Sequence, residues 1–136
     1  MPRRHQQPGD NALAQAPAGQ GLQVKGRIWL ERDGQTYLSW GRVVLLERIG
    51  QAGSVAAAAR SMGMSYRHAW GLVREMNQAA GLPLVERRAG GQGGGGAMLT
   101  EAGQGEVTNF WALAEQFQAW LSARRPRQPG DALPRG

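Results

Sequence analysis

At 136 residues with no cysteine, the chain has room for one compact domain and no material for a disulfide framework, a thiolate zinc site or a cysteine nucleophile. Sixteen basic residues, all but Lys25 arginines, stand against ten acidic ones, a net charge of +6. That balance fits a polyanionic partner or a solvated arginine-rich surface, and alone it favours neither. No run approaches the length of a membrane span, and residues 1–21 are polar and rich in Gly and Pro where a signal peptide needs an apolar centre, so a cytoplasmic protein without membrane contact is expected.

Residues 1–21 and 126–136 hold almost no large apolar side chains and are expected to be flexible tails around a domain at 22–125. From Val24 the pattern becomes VKGRIWLERDGQTYL, in which Val24, Ile28 and Leu30 share one strand face and Asp33-Gly34 suits a two-residue turn. A β-hairpin over Val24 to Leu38 is predicted. Helix 1 is predicted from Gly41 or Arg42 to Gly50, with Val43, Leu45, Leu46 and Ile49 inward, Arg42, Glu47 and Arg48 outward, and Gly50 and Gly53 as breakers.

Ser54 suits the N-cap of helix 2, whose inward stripe is Val55, Ala58, Ala59 and Met62; its alanines permit another helix to cross closely. Gly63 is placed to end that helix with positive φ, Met64 to plug the turn, and Ser65 to cap helix 3, which continues to about Ala80. On helix 3, Ala69, Leu72, Val73, Met76 and Ala80 fall on one side, and Arg67, Gly71 and Arg74 on the other. Gly81 stops it. A strand over Leu82 to Glu86, a wing over Arg87 to Gly96 and a partner strand over Ala97 to Leu99 follow.

The last helix is predicted from Thr100 to about Arg125. Val107, Phe110, Ala114, Phe117 and Leu121 recur at steps of three and four, with Leu113 and Trp120 on one flank and Trp111 on the other. So broad an apolar face suits a two-fold dimer with Ala114 at its centre; packing on the hairpin and helix 1 is the alternative. The fold class is thus α+β, mainly α: a winged helix-turn-helix with an N-terminal hairpin and a long C-terminal dimerisation helix.

Between 41 and 100 seven Arg stand against three Glu. Ser65, Tyr66, Arg67 and His68 occupy the turn that a recognition helix presents to base edges, where Arg67 suits paired hydrogen bonds to guanine; an ordinary amphipathic surface helix is the plainer reading. Trp70 lies between the core and groove faces and is expected in helix packing. The candidate DNA-contacting set is Ser54, Ser65, Tyr66, Arg67, His68, Gly71, Arg74, Arg87 and Arg88, the last two at the base of the wing. GGQGGGG at 90–96 is no phosphate loop, because no Lys-Ser/Thr follows it and no strand–loop–helix surrounds it. No paired carboxylates, HExxH or His-activated nucleophile occurs, so no enzyme, catalytic residue, metal or cofactor is expected.

The segments LLERIGQAGSVAAAARSMGMSYRHAWGLVREMNQ and LVERRAGGQGGGGAMLTEAG carry the elements GSxxxAA, SYxxAW, MNQ and GGxGGGGAxLTxxG. Over roughly residues 42–104 the chain resembles the N-terminal DNA-binding domain of the ModE family of molybdate-responsive regulators, and through GLPLVER it is more distantly similar to LysR-type helix-turn-helix proteins. The resemblance implies a winged helix that dimerises largely through its last helix and binds an inverted repeat in double-stranded DNA. It does not extend to molybdate, since the molbindin modules of that family have no counterpart among these residues. A stand-alone homodimeric regulator is expected; the alternative is a module docking a separate oxyanion-binding or regulatory protein through its last helix. Replacing Arg67 by Ala is expected to relax discrimination at one base position at a cost of about 1–3 kcal/mol, read by binding to a panel of singly substituted duplexes. An unchanged preference would remove Arg67 from the base-reading set.

Overall fold

The computed structural model describes residues 21–89 and 96–132. Most of the expected N-terminal tail, the glycines at 90–95 and the end of the C-terminal tail lie outside the described residues. The chain divides into two compact units, Ile28–Phe110 and the flanking segments up to Arg27 and from Trp111. Among the described residues no helix is long and apolar enough to cross a membrane.

The first unit opens with a hairpin of β1 (Leu30–Arg32) and β2 (Gln35–Leu38). Asp33 and Gly34 both take positive φ, 52° and 80°, as the expected two-residue turn requires. The hairpin is shorter than predicted. Leu30 already pairs with Leu38, and Ser39 caps the next helix, so residues before Leu30 have no partner strand. Val24 and Ile28 are still half-buried, as is Leu30, so the alternation extends back beyond the ladder.

Ser39 accepts from the Arg42 N–H and starts α1 (Trp40–Ala52), one or two residues earlier than predicted. Gly50 does not break α1. Its missing side chain leaves room for Leu99, whose Cδ1 would lie 3.0 Å from an added Cβ, and the helix stops instead at Gly53 with φ 71°. Val43, Leu45, Leu46 and Ile49 are fully buried as expected.

Ser54 Oγ then accepts from the Ala57 N–H at 3.1 Å and caps α2 (Val55–Ser61). Val55, Ala58 and Ala59 are buried, while Met62 is only half-buried at the cap. Gly63 adopts φ 67°; its N–H reaches Arg60 O, and that of Met64 reaches Ala59 O, the paired bonds that turn a helix end sharply. Ser65 follows as N-cap of α3 (Tyr66–Ala80), which buries Ala69, Val73 and Met76 and ends at Gly81 with φ 76°. Leu72 and Ala80 are half-buried on the margins.

β3 spans Val85–Arg88 rather than residues 82–86, and β4 spans Gly96–Leu99. The shift has its cause in α3. Asn77 of α3 accepts the Leu84 and Val85 N–H groups on Oδ1 at 2.8 and 3.4 Å, and its Nδ2 donates to Val85 O at 3.3 Å, so the chain is held to α3 before it can enter a ladder. Val85 then pairs with Leu99, and Arg88 with Gly96. The other edge of β4 is also engaged, because the Ala97 N–H donates to Gly53 O.

Thr100 accepts from the Gly103 N–H and opens α4 (Glu101–Ser122), while its hydroxyl donates to Pro83 O at 2.7 Å. Gly103 is required: a Cβ there would lie inside van der Waals contact of the Leu84 carbonyl, 3.0 Å from its carbon. In the second unit, Gly26 backbone lies against Phe117, and Gln118 donates to Gly26 O. Residues 127–131, expected as part of a polar tail, close a turn in which the Gln128 N–H donates to Asp131 Oδ2 at 2.7 Å.

Tyr37 of β2 is buried and donates its hydroxyl proton to Glu106 Oε1 of α4 at 2.5 Å. Burial, then the Glu106 hydrogen bond and charge, push the phenol far above its ordinary range. The folded state therefore keeps a proton that the unfolded chain releases near pH ~10, so the stability Tyr37 contributes is complete below that pH and falls above it. The urea midpoint of the wild type is expected to drop as the pH rises above about 10. Tyr37→Phe should flatten that drop while costing about 1 kcal/mol at neutral pH. Equal pH slopes in both proteins would contradict this account.

Candidate nucleic-acid interface

α3 carries its apolar residues against the core, leaving a face on which Arg67, His68 and Arg74 are exposed. Gly71 lies between the two arginines, and nothing stands within 4 Å of the position a Cβ would take. Bare backbone there opens a shallow depression lined by Ser65, Arg67, His68, Gly71, Leu72, Arg74 and Glu75. Among the described residues neither Arg67 nor Arg74 has a carboxylate partner.

Glu75 is the one acidic residue of α3. Arg42 reaches from α1 to place Nη2 2.9 Å from its Oε1 and also donates to Thr36 O. Arg42, predicted outward, is thus mostly covered, its side chain 14% exposed against 60% for Glu75. With Glu75 so open to water, the pair adds little stability. Its larger effect is electrostatic, since it balances the negative charge beside the arginine-bearing face.

Ser65 is exposed at the start of this face and its Oγ accepts the His68 N–H at 3.0 Å. The remaining free amides of the first turn make this the positive end of the helix dipole, suited to an anion. Ser54 differs from the other candidates. It is half-buried, its Oγ is used in capping α2, and its backbone bridges Gly96. The geometry gives it a structural role.

Tyr66 is 47% exposed and meets Trp70 edge to face, ring centroids 6.3 Å apart and planes at 72°. Trp70 is half-buried, as the helix-packing expectation had it, and its buried Nε1 has no acceptor among the described residues. Arg87 lies over the Trp70 ring, Cζ 4.1 Å from the centroid. The sequence placed Arg87 and Arg88 in the wing loop; both are instead residues of β3, and successive strand residues face opposite sides, so the two arginines do not act on one surface. Arg87 faces α3. The loop beyond Ala89 lies outside the described residues.

The last helix divides the expected dimerisation stripe. Val107, Phe110, Trp111, Ala114 and Leu121 are buried within the single chain, whereas Leu113 and Trp120 are 42% and 52% exposed. Phe117 is half-buried and stacks on Trp120 with centroids 6.2 Å apart, and Arg124 covers the Trp120 ring at 4.3 Å. Positions 113, 117, 120 and 124 form a narrower stripe than the sequence suggested. Five of the eight residues are already occupied by the chain's own packing.

Among the described residues no three potential metal-ligating side chains come together. The residues that sequence reasoning missed, Arg42 and Asn77, act across elements; only the MNQ motif hinted at the second. Capping predicts that Ser65→Ala destabilises the fold by about 1 kcal/mol and that Ser65→Asp does not, since a carboxylate accepts the same amide. Urea unfolding checks both, and equal losses would show that the hydroxyl serves something other than the cap.

Comparison with known proteins bears on this geometry. Residues 40–104 match the model of the bacterial regulatory helix-turn-helix proteins of the lysR family. The chain is 40% identical to the molybdenum-pterin-binding protein MopB of Rhodobacter capsulatus over 112 residues, 82% of this chain and 41% of that protein. It is 45% identical over 94 residues to the DNA-binding transcriptional dual regulator ModE of Escherichia coli K12, 69% of this chain and 36% of the relative. With the molybdenum transport protein ModE of Azotobacter vinelandii it shares 42% identity over 95 residues, covering 70% and 35%. The chain spans roughly two fifths of the length of these curated relatives or less.

Proposed function

We propose, on the premise that residues 40–104 are a helix-turn-helix domain of the LysR-family type in a ModE-like chain, that this protein is a sequence-specific DNA-binding transcriptional regulator. The observation that carries the reading is the outward face of α3, with Arg67 and Arg74 exposed on either side of the bare Gly71 backbone and free of carboxylate partners among the described residues. Arg67 and His68 reach base edges in the major groove, with Tyr66 beside them. Ser65, Arg74 and Arg87 meet the backbone, Arg88 on the opposite side of β3 stands apart from them, and Ser54 supports the motif from behind.

The operator is an inverted repeat bound by a homodimer. The exposed pair Leu113 and Trp120 supports this, because a second copy gives both a dry contact through a stripe continuous with the buried side of α4. Two recognition helices related by a two-fold axis then meet half-sites about 34–36 Å apart or a multiple of that. A separate protein docking on the same stripe is the competing reading, and the mass of the purified chain separates them.

Binding to genomic fragments across a salt series tests the function. Selective binding is expected, weakening with salt by a slope of about 0.9 per phosphate neutralised, and the series run with and without molybdate reads whether that oxyanion alters it. The purified protein is expected to sediment as a dimer, and Trp120→Glu to shift it to monomer and weaken operator binding. A monomeric wild type moves the weight to a partner protein; no selective binding at any salt refutes the regulator.

A further inference from the structure

The contact between Trp70 and Arg87 joins the helix that carries the candidate recognition face to the strand that follows it. Trp70 belongs to α3, Arg87 to β3. Among the described residues the buried indole Nε1 has no acceptor, a cost that a leucine at the same place would avoid. What the indole has and leucine lacks is a π face, and that face is where the Arg87 guanidinium sits at 4.1 Å. The Arg87 side chain itself has no hydrogen-bond acceptor or carboxylate among the described residues. A structural arginine ordinarily uses several of its five donors on carbonyls or carboxylates. Here a ring holds the charge and the donors stay available.

We propose that Trp70 is a positioning residue that holds Arg87 for a DNA phosphate, so that the recognition helix and the wing strand engage the duplex as one coupled unit. The inference rests on the regulator reading above. Tyr66 completes the arrangement by bracing the Trp70 ring edge-on at 6.3 Å from the first turn of the same helix. The chain Tyr66, Trp70, Arg87 thus links the residue beside the base-reading turn to the cation at the start of the wing. The long side chain of Arg87 would otherwise be immobilised only on binding, at an entropic cost that prior placement reduces. If Arg87 merely shielded the indole from water, both residues would affect stability and neither would couple to the other in DNA binding.

A double-mutant cycle on the full chain distinguishes the two, reading affinity for a selected operator duplex by fluorescence anisotropy over a salt series. Arg87→Gln is expected to weaken binding and lower the salt slope by about one. Trp70→Leu should lower the slope similarly although Arg87 is still present. The double variant should bind about fivefold more tightly than the product of the single losses predicts, the fold-change equivalent to one exposed cation–π contact. Trp70→Phe, which keeps a π face and the core volume better, should restore the slope, and urea unfolding confirms that each variant is folded. Losses that multiply, or a Trp70→Leu slope equal to that of the wild type, overturn the proposal. A wild type that binds no duplex at any salt overturns the regulator reading itself.

Discussion

The carboxamide of Asn77 is the joint on which the geometry of the first unit turns. One side chain satisfies the Leu84 and Val85 amides and the Val85 carbonyl, so the segment after α3 is fastened to α3 before β3 begins. Thr100 and Gly103 close the same point from the other side, through Pro83 O and the close approach of helix backbone to the Leu84 carbonyl. Buried amides and carbonyls must find partners, and here three elements share one short stretch of chain to provide them. The position of Arg87 over Trp70 follows, because the register Val85 to Leu99 is set at its first pair by this fastening.

The helix-turn-helix itself is built from local chemistry. Glycines at 53, 63 and 81 take positive φ and serine oxygens at 39, 54 and 65 accept first-turn amides, so each helix has a defined end before tertiary packing is counted. The same local chemistry explains why the element order was legible. A capping serine or a helix-ending glycine is a near-neighbour effect, and Ser54, Gly63, Ser65 and Gly81 all take the places their sequence assigned.

What was not legible depends on distant residues. Gly50 reads as a breaker by propensity, yet its lack of a side chain serves Leu99 of β4, and α1 continues through it. The strand after α3 begins three residues later than its apolar run suggests, because Asn77 claims the amides first. Arg42 reads as an outward charge until Glu75 is placed beside it. In α4 the periodicity marks eight apolar residues as one stripe and cannot divide them; only the packed chain distinguishes buried Phe110 from exposed Trp120. Periodicity identifies a face, and neighbours decide what covers it.

The arrangement of β4 has one more result. Its edges face β3 on one side and the Gly53–Ser54 backbone on the other, so it offers no unpaired row of amides and carbonyls to another molecule. Among the described residues the edge of β3 beyond Val85 is paired with no further strand, and its exposed residues are Glu86, Arg87 and Arg88. Three consecutive charged residues on a four-residue strand make a poor template for a further strand, because each would have to give up water to pair. A short, charged edge of this kind opposes strand-to-strand aggregation in a concentrated solution of the protein.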